Sequence, residues 1–303
     1  MVKPVSYDVE TLKRRRLNLV LVLAVGLASL PMAATYLLLI LSSFADHMLT
    51  GLDIFSARYG LWNWIMLLNG TLGPAAGKLP GYNLGEWIIN TLIVALGVTI
   101  VVTTSSTLAG YAFSRMQFMG REKLMQLIIL LHAFPGVALI IAVFAIYVWL
   151  LNLVPEPFQG CYAMMYTIVA RASLEIPMSI WLMKGFFDQI PWEIEWSAIV
   201  DGASRIRVWW RILVPLVSPG IAAVAIFSFL AGWEDLIYVL VFLKPRGVLT
   251  LATFIESLLA EGTETAYLPV IAAAGTLYLI PTIVFFLLTQ RLLLQTYTGG
   301  VKG

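Results

Sequence analysis

The sequence predicts an all-α, polytopic membrane protein with six transmembrane helices. Of its 303 residues, 60% are hydrophobic and only 12% are charged, whereas about a quarter of the residues of a soluble domain are charged. The mean hydropathy is +0.89. Most of the apolar residues also fall in runs of about 20 residues, the length that an α-helix needs to cross a bilayer. These observations exclude a water-soluble globular chain.

Six apolar segments are each long enough to span a membrane with some tilt. They are Leu17–Phe44, Trp87–Phe113, Leu124–Leu151, Tyr162–Phe187, Leu216–Leu243 and Tyr267–Gln290. The first follows the basic run Lys13–Arg16 and continues to Leu41, which is longer than the roughly 7–15 residues of a secretory signal core. We therefore interpret it as a retained anchor.

The distribution of Lys and Arg predicts the orientation. If the amino terminus is cytoplasmic, 14 of the 19 Lys and Arg residues lie in cytoplasmic segments, 4 lie in extracytoplasmic segments, and Arg171 lies within a span. Excess Lys and Arg mark the cytoplasmic side, so both termini are predicted to be cytoplasmic and the protein to be a multi-pass protein of the cell membrane. The predicted organisation is a cytoplasmic segment 1–16, a first transmembrane helix 17–44, an extracytoplasmic loop 45–86, a core 87–290 that contains an inner loop at 188–215, and a cytoplasmic tail 291–303.

Composition and motifs also exclude several functions. The net charge of +2 gives no basic surface for a nucleic acid. One cysteine, Cys161, and two distant histidines, His47 and His132, give no disulfide and no metal-ligand spacing. The chain has no Gly-x-x-x-x-Gly-Lys-Ser/Thr phosphate loop and no catalytic triad or paired carboxylates. We therefore predict that it is not an enzyme and binds no cofactor itself.

The inner loop 188–215 has the pattern of a short helix, a turn and a second helix. Pro191 suits the first turn of a helix, and Glu193 and Glu195 suit its amino end. The spacing then puts four apolar residues on one face: Trp192, Trp196, Ile199 and Ala203. Gly202 allows a strained backbone and Ser204 can cap the next helix. Periodicity alone leaves open an amphipathic segment lying at the membrane surface.

The string Glu195–Ser204, followed by Trp210–Leu216, resembles the coupling loop of permease subunits of ATP-binding-cassette importers. That family has Glu-Ala-Ala, two variable residues, Asp-Gly-Ala and, about nine residues later, an apolar residue, Leu and Pro. Asp201–Ala203 and Pro215 fit the pattern, whereas Trp196 stands where the family commonly has Glu, with Glu195 one residue earlier.

Further stretches strengthen this resemblance over roughly Glu86 to Gly303. Asn90–Arg121 and Ile176–Pro191 are similar to carbohydrate-type permeases, and Gly299–Gly303 is similar to the end of the maltose-permease-like second subunit. The resemblance implies the type I importer permease fold and import of a mono-, di- or oligosaccharide.

The resemblance also implies partners and an interface. The protein partners are a second permease subunit, two cytoplasmic ATPase subunits that bind ATP and Mg, and an extracytoplasmic sugar-binding protein. The chain itself lies in a lipid bilayer, and no nucleic acid is expected as a partner. Rigid-body closure of the ATPase subunits would switch the permease between inward- and outward-facing states. The implied ATPase-coupling residues are Trp192, Glu195, Trp196, Ile199, Asp201, Gly202, Ala203, Ser204 and Lys302. The apolar ones would be the anchors, Gly202 would allow close approach, and Asp201 would cap or pair at the turn.

Charged residues within the apolar segments indicate a substrate pathway, because such groups usually face a bundle interior or a water-filled path. Arg171 and Glu175 are spaced to pair on one helix face. Glu234 and Asp235 lie in the outer half of the fifth segment, next to Trp233, whose ring could stack on a sugar. An ion-pair cluster that fixes helix packing explains the same residues equally well.

One rival function is an ion-coupled secondary transporter of a small polar solute. Such transporters favour internal repeats with helices broken at matching positions. The first three and last three apolar segments show no convincing correspondence, so the importer is the preferred interpretation.

Overall fold

The structure, a computed structural model, describes the backbone of residues 9–71, 81–260 and 267–298. Within these ranges Ala45 and Tyr59 form an isolated antiparallel bridge. Nearly all other regular structure in these ranges is helical. The predicted all-α class is therefore confirmed.

Thirteen α-helices are seen in these described ranges. They are α1 (Val9–Ser42), α2 (Trp62–Asn69), α3 (Leu84–Arg115), α4 (Arg121–His132), α5 (Gly136–Leu151), α6 (Gln159–Asp188), α7 (Trp192–Val200), α8 (Arg205–Val208), α9 (Val214–Leu216), α10 (Ser218–Trp233), α11 (Ile237–Phe242), α12 (Leu251–Ala260) and α13 (Leu268–Thr298). Short 3-10 turns lie at Leu52–Phe55, Glu156–Phe158 and Lys244–Arg246, and a π-helical turn at Trp209–Leu213 joins α8 to α9.

Three described helices are long and apolar enough to cross a membrane by themselves: α1 from Leu17 to Ser42, α3, and α13 from Leu268 to Leu287. Three helix pairs meet the same criterion only together. They bend by 98° between α4 and α5, by 73° before α10, and by 93° before α12. If each bent pair is one span, up to six spans result. The predicted fourth span corresponds to the continuous 30-residue helix α6, which contains Pro177 and is not one of these six.

The predicted third and fifth spans are not single helices. α4 ends at His132 and α5 begins after Pro135, because proline disfavours helical backbone at the residue before it. α10 ends at Trp233, and α11 begins only at Ile237. Glu234 and Asp235 therefore lie at a helix break and not within a continuous fifth span, which corrects the prediction.

The chain divides into two compact units, of which one comprises residues 1–79 and 263–276. In this unit Phe44–Asp46 runs antiparallel to Arg58–Gly60, with hydrogen bonds from Asp46 N to Arg58 O and from Gly60 N to Phe44 O. The eight-residue helix α2 follows at once. The stretch predicted as an extracytoplasmic loop, residues 45–86, thus contains a folded hairpin and a helix within its described part up to residue 71.

Asn63 on α2 holds this hairpin, because its buried amide donates to Ser43 O at 3.1 Å and to Ala45 O at 2.7 Å. We expect Asn63→Ala to lower the free energy of unfolding of this unit by about 1–3 kcal/mol, since two buried carbonyls lose a donor. Asn63→Asp should lower it further, because an ionised carboxylate only accepts hydrogen bonds. Thermal unfolding in detergent measures both. Asn69→Asp, on the exposed end of the same helix, is the control, and an equal loss there would contradict the assignment.

The other unit comprises residues 80–262 and 277–303, and α3, α6 and α10 form its centre. Two glycines allow these helices to approach closely. A Cβ at Gly110 would lie 2.7 Å from Met183 Cβ on α6, and one at Gly232 would lie 2.8 Å from Ala95 Cα on α3. The buried apolar cluster that results includes Val98. It lies beneath the two candidate sites described below, the loop 188–215 and a cavity.

Candidate functional site

The connecting loop, residues 188–215, folds as predicted into a short helix, a turn and a second helix. Pro191 precedes α7 at its N-cap position. The turn after α7 is formed by Gly202, whose φ of +86° lies in the left-handed region that favours glycine. Ala203 N donates to Ala198 O at 3.0 Å across this turn. The Ser204 hydroxyl caps α8 by accepting from Arg207 N at 3.4 Å.

The predicted apolar face of the loop divides into two groups. Trp192 and Trp196 are exposed on α7, whereas Ile199 and Ala203 pack against the buried cluster. The outward ridge continues instead with Val200, which is 83% exposed. A spacing of four residues repeated from Trp192 keeps the ridge on one side of the helix. Ile199 is therefore only partly exposed, and its role as an anchor stays a prediction.

Glu195 faces the interior of the unit. Its side chain is 8% exposed, and Oε1 accepts a hydrogen bond from the Tyr111 hydroxyl of α3 at 2.9 Å. Oε2 lies 3.6 Å from Nε of Arg115, also on α3. Glu195 is one of the predicted ATPase-coupling residues, and in the structure α3 covers its carboxylate.

Arg115 ties the end of α3 to the start of the loop. Its Nη2 donates to Phe187 O at 2.8 Å and to Ile190 O at 2.5 Å. Its guanidinium carbon lies 4.5 Å from the centroid of the Trp192 ring, within the range of a cation–π contact. These contacts fix α7 to both α3 and α6.

The remaining predicted loop residues are exposed. Asp201 forms no side-chain hydrogen bond or ion pair with any residue of the described ranges, so the expected cap or pair is not seen within the chain. A Cβ built on Gly202 would meet no atom within 4 Å. Lys302 lies outside the described residues.

Asp188, the last residue of α6, accepts a hydrogen bond from Ser114 at 2.6 Å and forms an ion pair with Lys184. Partial burial raises the pKa of Asp188, but the hydrogen bonds from Lys184 and Ser114 outweigh burial and hold the pKa below the ordinary value of 3.8. A carboxyl group with a lowered folded-state pKa stabilises the fold above its unfolded pKa and loses that contribution as the pH falls through the folded pKa.

We therefore expect Asp188→Asn to lower the unfolding temperature modestly at neutral pH and to differ little from the unchanged chain well below the unfolded pKa of 3.8. Thermal unfolding in detergent across this pH range measures the difference. Lys184→Met removes the same ion pair and should show the same pH profile. A difference that persists at the lowest pH would mean that the charge of Asp188 is not its source.

A cavity of about 910 Å³ lies in the same unit, where two helix breaks meet α6. It opens between the α4–α5 break, α6 near Pro177, and the α10–α11 break. Its lining residues are Leu131, His132, Phe134, Gly136, Val137, Leu139, Arg171, Ser173, Leu174, Glu175, Pro177, Glu234, Asp235, Leu236, Ile237 and Tyr238. Four of the five predicted pathway residues are thus brought together here.

Arg171 is the centre of the polar groups in this cavity. Its Nε lies 2.6 Å from Asp235 Oδ2 and donates to Ala231 O at 3.2 Å, and its Nη1 lies 2.9 Å from Glu175 Oε1. The predicted pairing of Arg171 with Glu175 is therefore seen. Glu234 is exposed and has no ion-pair partner among the described residues. The lining carries three carboxylates and one guanidinium.

Trp233 does not line the cavity, which corrects its predicted place in the pathway. It is 1% exposed, and its Nε1 donates to Tyr278 O at 3.0 Å while the Tyr278 hydroxyl donates to Trp233 O at 2.7 Å. Its ring also stacks on Phe229 with centroids 5.9 Å apart. Trp233 is a packing residue between α10 and α13.

The sequence did not predict which residues contact the connecting loop, nor which residue links the two helix breaks at the cavity. Tyr111 and Arg115 lie about 80 residues before Glu195, and no local pattern links them. Tyr238 donates from its hydroxyl to Gly136 O at 3.3 Å and so ties the two breaks together. The sequence Phe134-Pro135-Gly136 does indicate a helix break, and this break forms one side of the cavity.

Comparison with known proteins places these sites in context. The profile of a family described as "Binding-protein-dependent transport system inner membrane component" matches residues 103–298, which include the connecting loop and the cavity. The maltodextrin transport system permease protein of Bacillus subtilis (strain 168) is 33% identical over 72% of this chain and 76% of its own length. The trehalose/maltose transport system permease protein of Thermococcus litoralis is 27% identical over 97% of this chain and 99% of its own.

A solved structure has the same fold. In the crystal structure of a bacterial ABC transporter involved in the import of the acidic polysaccharide alginate, one chain matches 92% of this chain and 97% of its own length. The TM-score is 0.70 and the sequence identity is 16%. This likeness concerns the fold alone.

Proposed function

The chain belongs to the family of inner-membrane components of binding-protein-dependent transport systems, and we propose that it is the permease subunit of an ATP-binding-cassette importer that moves a sugar into the cytoplasm. The observation that carries the proposal is the family match over residues 103–298, which contains a connecting loop with the Asp201–Ala203 turn in left-handed geometry. This membership replaces the ion-coupled secondary transporter that the sequence had left open.

A sugar is the proposed substrate because the similar permeases act in sugar systems. Those of Bacillus subtilis and Streptococcus pneumoniae, 33% and 32% identical, belong to maltodextrin transport systems. The relative from Thermococcus litoralis, which matches nearly the whole chain, belongs to a trehalose/maltose system. We infer a neutral mono-, di- or oligosaccharide.

The assembly follows from the proposed class. The chain pairs with a second permease subunit, two cytoplasmic ATPase subunits and an extracytoplasmic sugar-binding protein. ATP and Mg bind to the ATPase subunits, and this chain supplies no catalytic group. Both termini lie in the cytoplasm, in agreement with the 14 to 4 division of Lys and Arg.

Alternating access would connect the two sites. Closure of the ATPase subunits on ATP would displace the connecting loop, and α7 would transmit the displacement to α3 and α6 through Glu195 and Arg115. The cavity around Arg171 would form this subunit's wall of the sugar pathway, where carboxylates accept hydrogen bonds from sugar hydroxyls.

Copurification and reconstituted transport test the proposal. The chain, coexpressed with its partner permease and tagged ATPase subunits, should elute as one complex. Proteoliposomes that contain the complex should take up sugar only with the binding protein outside and ATP inside. Uptake by this chain alone, driven by an ion gradient and abolished by an ionophore, would overturn the proposal.

The cavity role has its own test. We expect Glu175→Gln and Glu234→Gln each to change the affinity or rate of sugar uptake about fivefold, because each alters one polar contact worth about 1 kcal/mol. Glu256→Gln, which affects the ion pair with Lys244 away from the cavity lining, is the matched control. Unchanged uptake in both cavity variants would remove them from the pathway.

A further inference from the structure

The segment Arg205–Leu216, at the end of the connecting loop, is bent by 73° from α10, which follows it. α10 has 16 residues, so it is about 24 Å long and covers most of the roughly 30 Å thickness of the hydrocarbon core of a bilayer. A helix that crosses the bilayer holds a neighbour bent by this angle close to the plane of the membrane surface. The segment Arg205–Leu216 therefore runs along that surface.

One side of this segment is buried in the protein and the other side is not. Val208 and Leu213 are 1% and 0% exposed and belong to the buried apolar cluster. Ile206 and Trp210 are 80% and 65% exposed, and their spacing of four residues makes them neighbours on the helix surface. Tryptophan is enriched where a spanning segment meets the lipid headgroups. The exposed side thus has the apolar part of an interfacial helix.

Arginine side chains form the polar part of the same side. Arg207 and Arg211, again four residues apart, are exposed, and the side chain of neither forms an ion pair or hydrogen bond with any residue of the described ranges. Arg205 is exposed as well, but it interacts electrostatically with Tyr111. From residue 202 to residue 233 the sequence contains no Asp or Glu. The segment therefore carries a net positive charge that its own residues do not balance.

The acidic residues earlier in the connecting loop do not neutralise these arginines. Glu195 is covered by α3, and Asp188 forms an ion pair within α6. Glu193 and Asp201 are exposed, but both precede the turn at Gly202, and neither forms an ion pair in the part of the chain that the structure describes. The two exposed guanidinium groups are thus available to an anion from outside the chain.

We propose that Arg207 and Arg211, with Ile206 and Trp210 beside them, form a binding site for an anionic phospholipid of the cytoplasmic leaflet. The guanidinium groups bind the lipid phosphate, to which their planar geometry is suited. The indole and the isoleucine side chain enter the boundary between headgroups and acyl chains. The bilayer is the occupant because the segment runs along its surface and because the negative potential of this leaflet complements the positive charge. The inference goes beyond the proposed function and takes from it only the cytoplasmic position of the loop.

The test titrates the delipidated complex of permease pair and ATPase subunits with phosphatidylglycerol or phosphatidylcholine and counts bound lipids by native mass spectrometry. The unchanged complex should bind phosphatidylglycerol about tenfold more tightly at its strongest site, and this preference should shrink as the salt concentration rises. Arg207→Gln with Arg211→Gln should weaken phosphatidylglycerol binding there about 30-fold, because two surface charges are lost, and should leave phosphatidylcholine binding unchanged.

Two further variants are the controls. Arg207→Lys with Arg211→Lys keeps both charges and should bind phosphatidylglycerol within about fivefold of the unchanged complex. Arg246→Gln removes an exposed arginine that donates to Gln159 in a predicted extracytoplasmic turn, and it should have no effect. All variants should keep the unfolding temperature of the unchanged complex, since the replaced side chains are exposed.

Photocrosslinking locates the bound lipid. A photoactivatable phosphatidylglycerol should label residues 205–216 in the unchanged complex and not in the double glutamine variant. Labelling confined to other residues, or equal affinity for the two lipids, would overturn the inference. A double glutamine variant that binds phosphatidylglycerol normally but loses ATPase subunits from the permease pair would assign the arginines to a protein partner and overturn it as well. Because lipid binding is measured without transport, these outcomes do not depend on the sugar or on its uptake.

Discussion

Replacing Gly202 by glutamate should reduce ATP-driven sugar uptake by about tenfold or more, which corresponds to at least about 1.4 kcal/mol of lost coupling contact. The chain itself leaves room for the side chain, because a Cβ at this position meets no atom within 4 Å. The backbone, with φ of +86°, costs a non-glycine residue about 1–2 kcal/mol. Because this backbone cost is as large as the expected loss of coupling, a second variant is needed to isolate the proposed contact between this turn and an ATPase subunit.

Gly202→Asn separates the backbone from the contact, because asparagine tolerates left-handed backbone better than most residues. We expect Gly202→Asn to keep uptake within about threefold of the unchanged chain. Membrane insertion and pairing with the second permease should be normal in both variants, as measured by copurification. Normal uptake in Gly202→Glu would remove the turn from the coupling contact.

Replacing Arg171 by leucine should destabilise the permease by about 3–5 kcal/mol, the cost of removing one partner of a buried ion pair. The side chain of Asp235 is 6% exposed, and its carboxylate lies 2.6 Å from Arg171 Nε. Without the guanidinium it stays buried and unpaired. Glu175, with its side chain 25% exposed, can turn to water and should contribute less to the loss.

The double variant Arg171→Leu with Asp235→Asn distinguishes a pathway role from a packing role. Asparagine keeps an acceptor for Tyr238 N, which Asp235 Oδ1 binds at 2.8 Å, so the start of α11 stays capped. We expect thermal stability in detergent to recover substantially while sugar uptake remains at about a tenth or less. Recovery of uptake together with stability would show that these charges only fix the helix packing.

The sequence was sufficient for features that depend on local chemistry. The α7 helix, the left-handed turn at Gly202 and the cap by Ser204 follow from residue types within a few positions of each other. The pairing of Arg171 with Glu175 likewise follows from one helix turn. Such patterns need no knowledge of the rest of the fold.

Features that depend on distant packing were not predictable from the sequence. Which side of α7 is buried is decided by Tyr111 and Arg115 on α3, and helical periodicity alone allowed Ile199 to face outward with Trp196. An aromatic residue beside two intramembrane carboxylates, Trp233, is equally suited to a pathway or to a core, and its contacts with α13 decide the matter.

The contacts of Arg115 have a mechanical consequence. Since its Nη2 binds the carbonyls of Phe187 and Ile190 while its Nε faces Glu195, the ends of α3 and α6 and the start of α7 form a stiff joint. Because a stiff joint transmits torque without bending, a rotation imposed at this end of α6 would be carried along the helix toward the cavity. The compliance that such a motion needs is then available at the breaks after His132 and Trp233, where hydrogen-bonded helix gives way to bends of the chain. The contacts of Arg115 would thus keep the helix ends rigid, and bending would occur at the two helix breaks that line the cavity.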